Sequence, residues 1–136
     1  MKPLLCLDLE GTLISNAVSQ IPRPGLYTFL EHAAELCDLV IYTSVSEVQT
    51  RTIQKLFVAE KLVPSWFEDL DVLRPVQTQK PKSACGRSDA FILDDQECVI
   101  VPGEKSWWIR IPEFLPPYPE DDRALSDTIA LLKKLV

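Results

Sequence analysis

Short apolar runs and longer amphipathic stretches alternate along this chain. Residues 4–7, 39–42 and 90–93 each form an uninterrupted apolar run. Runs of this length without alternating polar positions are typical of strands that are buried on both faces of a parallel sheet. The three runs therefore predict the central strands of such a sheet.

Two helices are predicted between these runs and a third after them. The first presents a stripe of apolar residues at helical spacing, formed by Leu26, Phe29, Leu30, Ala33 and Leu36. Residues 46–49 have the spacing of a capping box and open a second helix that extends to about residue 60. A closing helix is predicted from about residue 120, with acidic residues in its first turn and Lys133 and Lys134 in its last turn.

Weaker patterns complete the predicted sheet. Residues 66–73 indicate a less regular extended segment, and residues 99–101 and 107–111 indicate two further strands around a Pro-Gly turn. Residues 77–88 are polar and indicate a loop. Because strands alternate with helices, the predicted fold class is α/β. We expect a single Rossmann-like domain over residues 1–136, with three αβα layers around a central parallel sheet and right-handed crossovers.

Composition narrows the class of protein and of partner. No apolar run is long enough to cross a bilayer, and Met1 to Pro3 lead directly into a strand, which leaves no room for a signal peptide. These features predict a cytoplasmic location and no membrane partner. The net charge of −6 disfavours nucleic acid as a partner, since binding to its backbone relies on basic residues.

The four cysteines are scattered and form no Cys-x-x-Cys pair, and the chain has one histidine. This spacing disfavours both a zinc site and a disulfide framework in a chain of this length. We interpret Cys6 and Cys37, which fall in a strand and at a helix end, as small buried apolar residues.

Two carboxylates follow the first apolar run. Asp8 and Glu10 stand two residues apart, so in extended backbone they point to the same side. Gly11 then permits a sharp turn, and the hydroxyl of Thr12 can tie it. Ligands of open α/β sheets bind at the carboxyl ends of the strands, which is where this pair is predicted to lie.

Polar residues also end the other two buried runs. Thr43 follows the second run, Asp94 and Asp95 follow the third, and Lys80 stands in the loop before the third. Such strand ends meet at one sheet edge, so the set predicts an acidic cluster with a hydroxyl and an ammonium group. Hard oxygen ligands of this kind suit Mg²⁺, and the whole set suits phosphoryl transfer.

The order of these groups resembles the four motifs of the haloacid dehalogenase superfamily of aspartyl-phosphate phosphatases. Within it, the chain is most similar to the branch of NLI-interacting-factor-like and RNA polymerase carboxy-terminal-domain phosphatases. The segments that carry the resemblance are residues 8–13, 23–30, 40–44, 80–87 and 91–95. The motif Asp-x-Asp-x-Thr is altered at its second carboxylate, where this chain has Glu10.

The resemblance implies a role for each site residue. Asp8 would be the nucleophile and Glu10 the general acid/base, Thr43 would bind the phosphoryl group, and Lys80 would orient nucleophile and phosphate. Lys82 stays open as the alternative motif lysine. The groups that would hold Mg²⁺ are Asp8, the backbone carbonyl of Glu10, Asp94 and Asp95.

Other classes of phosphate-handling protein agree less well with the sequence. In a phosphoacceptor receiver domain the acceptor Asp would follow a middle strand, where this chain has Thr43. No cysteine is followed by an arginine six residues on, as a cysteine phosphatase requires, and no P-loop motif occurs. The alternative that stays open is a catalytically weak binding or regulatory module with the same fold, since Glu10 is one methylene longer than Asp.

The spacing between the motifs bears on the substrate. Neither the interval from Thr12 to Thr43 nor that from Thr43 to Lys80 has room for a folded cap domain. An uncapped site favours a bulky phosphorylated substrate such as a phosphoprotein or phosphopeptide. Trp107 and Trp108 allow two interpretations, core packing or a recognition platform. The sequence does not indicate an oligomeric state.

Overall fold

Five parallel strands form one sheet at the centre of the computed structural model, which describes residues 1–136. The strands are β1 (Leu4–Leu7), β2 (Asp38–Tyr42), β3 (Val72–Leu73), β4 (Ala90–Asp94) and β5 (Trp108–Arg110). They lie in the order β3-β2-β1-β4-β5, with Leu4 paired to Asp38 on one side and to Ala90 on the other. Because every pair is parallel, all five carboxyl ends face the same edge.

Three helices pack against one face of the sheet. They are α1 (Leu26–Leu36), α2 (Glu47–Ala59) and α3 (Ala124–Leu135). Side chains from all three join alternate strand residues, such as Leu5 and Leu7, in one buried cluster of 23 residues. The predicted apolar stripe of α1 lies in this cluster, with Leu36 packed at its margin. The side chain of Ser46 accepts a hydrogen bond from Gln49 N–H at 3.2 Å, which confirms the predicted start of α2.

The opposite face has a thinner cover. Cys6, Tyr42 and Ile92 are among the eight residues of its buried cluster. The crossovers that cover them, residues 74–89 and 95–107, contain 3-10 turns and no α-helix. The α/β fold with a central parallel sheet and no separate cap is confirmed, and its second covering layer consists of loops and short turns.

Residues 99–101 do not form the predicted strand. A 3-10 turn, Glu97–Val99, is followed by Ile100, which is buried in the eight-residue cluster. The apolar run therefore reflects burial under the sheet and not strand pairing. The extended segment predicted at 66–73 is also only partly present, because Ser65–Asp69 is a 3-10 turn and the strand is limited to Val72–Leu73.

The closing helix begins later than predicted. α3 starts at Ala124, and the acidic residues from Glu120 to Asp122 precede it. Oδ1 of Asp122 accepts a hydrogen bond from Ala124 N–H at 3.0 Å. The acidic segment thus stabilises the amino end of α3, although it lies before the first turn of the helix.

Trp107, Cys6 and Cys37 are buried as core packing requires, whereas Cys85 is only half-buried. Trp107 is buried and Trp108 is half-buried, with the Arg110 guanidinium 5.4 Å from the Trp108 ring. All four cysteines are free, and Cys98 is exposed. Burial raises the pKa of Cys37 to about 11.

No helix in the structure has the length and apolar character needed to cross a bilayer.

Candidate active site

The loop after β1 places Asp8 at the carboxyl edge of the sheet. Asp8 N–H donates to Leu93 O at 3.1 Å, which extends the pairing of β1 with β4 by one residue. Gly11 then adopts a φ of 76°, a left-handed conformation that favours glycine. The Asp8 side chain is nearly buried, and its Oδ2 lies 2.8 Å from the Thr12 hydroxyl.

Thr12 and Gly11 also reach the carboxylate of Asp95. The Thr12 hydroxyl lies 3.1 Å from Asp95 Oδ1, so it stands between the two carboxylates. A Cβ atom on Gly11 would lie 2.5 Å from Asp95 Oδ2, closer than real Cβ contacts allow. Glycine at this position therefore permits both the turn and the close approach of Asp95 to the loop.

Lys80 is buried, although it belongs to a polar loop. Its Nζ donates to Asp8 Oδ1 at 2.9 Å and to Asp94 Oδ2 at 2.6 Å, and 2% of the residue is exposed. Its backbone N–H donates to Val99 O at 2.7 Å, which fixes the loop beneath the site. Lys82, by contrast, donates its backbone N–H to Glu104 Oε1 at 3.0 Å. The structure thus places Lys80, and not Lys82, at the carboxylates.

Asp94 is the last residue of β4, Asp95 follows it, and both are buried. Oδ1 of Asp94 accepts from Gln96 N–H at 3.0 Å. The side chain of Gln96 donates to Asp95 Oδ2 at 2.8 Å and to Glu113 Oε1 at 3.2 Å. Gln96 thereby fixes the orientation of both carboxylates, a role for which the sequence gives no signal beyond its position after them.

Three of these carboxylates have the arrangement of a cation site. One oxygen from each of Asp8, Asp94 and Asp95 lies within 4.8 Å of the other two. Burial raises the pKa of Asp8 well above its usual value, with Lys80 opposing and Asp94 adding to the shift. Burial likewise raises the pKa of Asp94, against the effect of Lys80. Three buried carboxylates lie beside one ammonium group, which contacts two of them, so a divalent cation with a preference for oxygen ligands, such as Mg²⁺, fits this site.

Glu10 and Thr43 are oriented by backbone amides near the site. Oε2 of Glu10 accepts from Ala17 N–H at 2.6 Å, in the loop between β1 and α1. Thr43 is buried at the end of β2, and its hydroxyl oxygen accepts from Val45 N–H at 3.1 Å. The backbone N–H of Thr43 donates to Leu73 O at 3.2 Å, whereas its hydroxyl donates to no acceptor within the protein.

A cavity of about 300 Å³ opens over the carboxylates. Of the predicted site residues, it is lined by Asp8, Glu10, Lys80, Asp94 and Asp95. Thr43 lies outside this lining, and its neighbour Ser44 is part of it. The other lining residues are Gly11, Ser15, Asn16, Gln96, Val99 and Glu113.

A parallel α/β sheet with an aspartate, a lysine and an acidic pair at its carboxyl edge is the arrangement expected of the haloacid dehalogenase superfamily. The model of the family described as NLI interacting factor-like phosphatase matches residues 3–136, and the chain belongs to this family. The family resemblance seen in the sequence is thereby confirmed.

Solved structures show the same fold at low identity. The fission yeast RNA polymerase II CTD phosphatase Fcp1 bound to beryllium fluoride aligns with a TM-score of 0.62 and 18% identity over 98% of this chain and 50% of that one. A second structure of Fcp1, described as an essential RNA polymerase II CTD phosphatase, aligns with a TM-score of 0.64 and 18% identity. The alignment covers 98% of this chain and 52% of that one. The chain thus spans about half the length of these proteins. A comparison with curated proteins gives no significant match.

Proposed function

We propose that this chain is a Mg²⁺-dependent phosphatase that hydrolyses phosphomonoesters through an aspartyl-phosphate on Asp8, with residues 1–136 acting as one domain. The observation that carries the proposal is the position of Lys80 Nζ between Asp8 and Asp94 in a buried cluster of three carboxylates. Membership of a phosphatase family supports the same conclusion.

The proposed reaction has two steps. A carboxylate oxygen of Asp8 attacks phosphorus in line, the ester bond breaks, and Glu10 gives its proton to the leaving oxygen. Glu10 then takes a proton from water, which attacks phosphorus and releases inorganic phosphate and free Asp8. The cation held by Asp8, Asp94, Asp95 and the Glu10 carbonyl would supply positive charge against the phosphoryl oxygens.

Lys80 and Thr43 would hold the phosphoryl group. Burial opposes the charge on Lys80, but the neighbouring carboxylates of Asp8 and Asp94 raise its pKa, so the ammonium stays charged at neutral pH. The Thr43 hydroxyl acts only as an acceptor within the protein, so its proton is free to be donated to a phosphoryl oxygen.

The direct test is release of phosphate from a generic aryl phosphate. Turnover should require Mg²⁺, disappear in EDTA and return when Mg²⁺ is added in excess. The Asp8→Asn protein, prepared in the same way, sets the background. Turnover no higher than this background at saturating Mg²⁺ would contradict the proposed activity.

Glu10 decides between an active enzyme and a weak binding module, which is the second candidate function. Its carboxylate is already held by Ala17 N–H, and a side chain one methylene longer than Asp alters the distance to the leaving group. If Glu10 is the general acid/base, Glu10→Gln lowers turnover by about 100-fold or more, the usual range for such a group. Mg²⁺ binding should change little, because only the Glu10 carbonyl would contact the cation.

Glu10→Asp provides the matched comparison, since it restores the carboxylate of the family motif. We expect it to be at least as active as the parent. Steady-state kinetics and Mg²⁺ calorimetry on the two variants measure both effects. Parental turnover in Glu10→Gln would remove this residue from the mechanism and favour the binding module.

For the substrate we propose a phosphoprotein or phosphopeptide. No cap domain covers the cavity, and Ser44, Gln96 and Glu113 at its rim are exposed, so a bulky carrier can approach. The net charge of −6 makes a protein a better partner than nucleic acid. A panel of phosphopeptides and phosphorylated metabolites at one Mg²⁺ concentration tests this. Efficient turnover of one small metabolite by a monomeric protein would overturn it.

Cytoplasmic location stays a prediction from the sequence.

A further inference from the structure

Arg23 is a buried cation that the proposed mechanism does not use. It stands in the loop before α1, and 1% of the residue is exposed. Its Nε and Nη2 donate to the two carboxylate oxygens of Asp122 at 2.9 and 3.1 Å. The guanidinium also lies 5.3 Å from the centre of the Phe114 ring. This two-pronged geometry is the strongest form of an arginine–carboxylate contact.

The remaining contacts of Arg23 lead to the loop after β1. Its Nη1 donates to Gly11 O at 3.2 Å and to Thr12 O at 3.3 Å. Phe114 N–H donates to Gly11 O as well, at 2.8 Å. The peptide carbonyls on either side of Thr12 are therefore both fixed, and with them the direction of the Thr12 side chain.

Thr12 in turn holds two carboxylates of the site. Its hydroxyl stands 2.8 Å from Asp8 Oδ2 and 3.1 Å from Asp95 Oδ1. A continuous set of polar contacts therefore joins Asp122, at the start of α3, to Asp8. These two residues are far apart in sequence and belong to different elements.

We propose that Asp122 is a positioning residue that acts through Arg23 and Thr12 to hold Asp8 and Asp95 in the geometry for Mg²⁺ binding and catalysis. The catalytic part rests on the proposed function. The Mg²⁺ part is testable without it, because cation binding is measured in the absence of turnover.

Asp122 allows a clean substitution. Besides Arg23, its Oδ1 accepts from Ala124 N–H at the start of α3. Asparagine keeps an oxygen for this contact and is itself favoured at helix starts. Asp122→Asn therefore removes the charge and one acceptor oxygen opposite Arg23 and leaves the start of α3 intact.

Three measurements on Asp122→Asn test the proposal. We expect kcat to fall about 10-fold with KM for the aryl phosphate unchanged, as for a displacement of well under 1 Å at the reacting groups. Mg²⁺ should bind about 10-fold more weakly in calorimetry without substrate, the loss typical of residues that orient metal ligands. Asp122→Glu should restore both values towards those of the parent.

Two further variants make the result decisive. Arg23→Lys keeps the charge but loses the planar fork that binds Asp122. It should show the same decreases in kcat and Mg²⁺ affinity that we expect of Asp122→Asn, and it replaces that variant if Asp122→Asn does not fold. Asp89→Asn, in an exposed ion pair with Arg87, is the control for loss of one carboxylate and should behave as the parent.

Parental kcat and Mg²⁺ affinity in a folded Asp122→Asn protein, even with a lower Tm, would overturn the proposal, because a merely structural pair lowers only Tm. If the parent binds Mg²⁺ without turnover, the proposed function fails and the calorimetry still decides the positioning role. A parent that binds no Mg²⁺ overturns both.

Discussion

Asp8→Asn should lower turnover by about 10⁴-fold or more, the scale seen when a covalent nucleophile is removed. An amide does not attack phosphorus, and it is a poorer ligand for Mg²⁺ than a carboxylate. The loss should appear in kcat for aryl phosphate and phosphopeptide alike. A single-turnover experiment with acid quench should also find no phosphate attached to the variant protein.

The same substitution should not weaken the fold in the absence of metal. Burial raises the pKa of Asp8, so ionised Asp8 is disfavoured in the folded state. For a carboxyl group of this kind, stability falls as pH rises above the unfolded pKa of about 4. Asparagine resembles the neutral acid and escapes this loss, and Lys80 keeps the carboxylate of Asp94 as its ion-pair partner. Thermal melts in EDTA at neutral pH should give Asp8→Asn a Tm at least as high as that of the parent, and a much lower Tm would show that lost folding explains the lost activity.

Lys80→Met should damage stability and activity together. Methionine has a similar length but leaves Asp8 and Asp94 without their shared ammonium group, and removing one partner of a buried ion pair costs about 3 kcal/mol or more. Turnover should fall about 100- to 1,000-fold, as when one donor to a developing negative charge is removed.

Urea unfolding and steady-state kinetics measure the two effects of Lys80→Met. Lys82→Met is the matched control, since Lys82 stands in the same loop and makes its hydrogen bond through the backbone. The control should keep parental stability and turnover. A Lys80→Met protein as active as this control would exclude Lys80 from the proposed site.

Much of the fold and of the site follows from local sequence. The runs around Cys6, Val40 and Ile92 are continuous because their strands are covered on both faces, and this pattern alone predicts the central strands of the sheet. Once strands are parallel, polar residues at their ends share an edge. Asp8 and Asp94 are therefore predictable neighbours.

Local sequence does not show which residues distant in the chain come into contact in the fold. The run at residues 99–101 has the apolar character of a strand, but its position under the sheet supplies the burial without pairing. Arg23 and Asp122 are separated by 99 positions, so no periodicity connects them. Lys80 stands among polar residues, and only the carboxylates it meets in the fold account for its burial.

The uneven cover of the sheet has a consequence for partial unfolding. The helix-covered face is closed by a buried cluster of 23 residues, and the loop-covered face by one of 8. Because the free energy of opening grows with the apolar surface exposed, the crossover of residues 74–89 should detach at lower cost than any helix. Lys80 lies in that crossover. In such a locally opened state the proposed site would lose Lys80 while the sheet and the three helices remain folded.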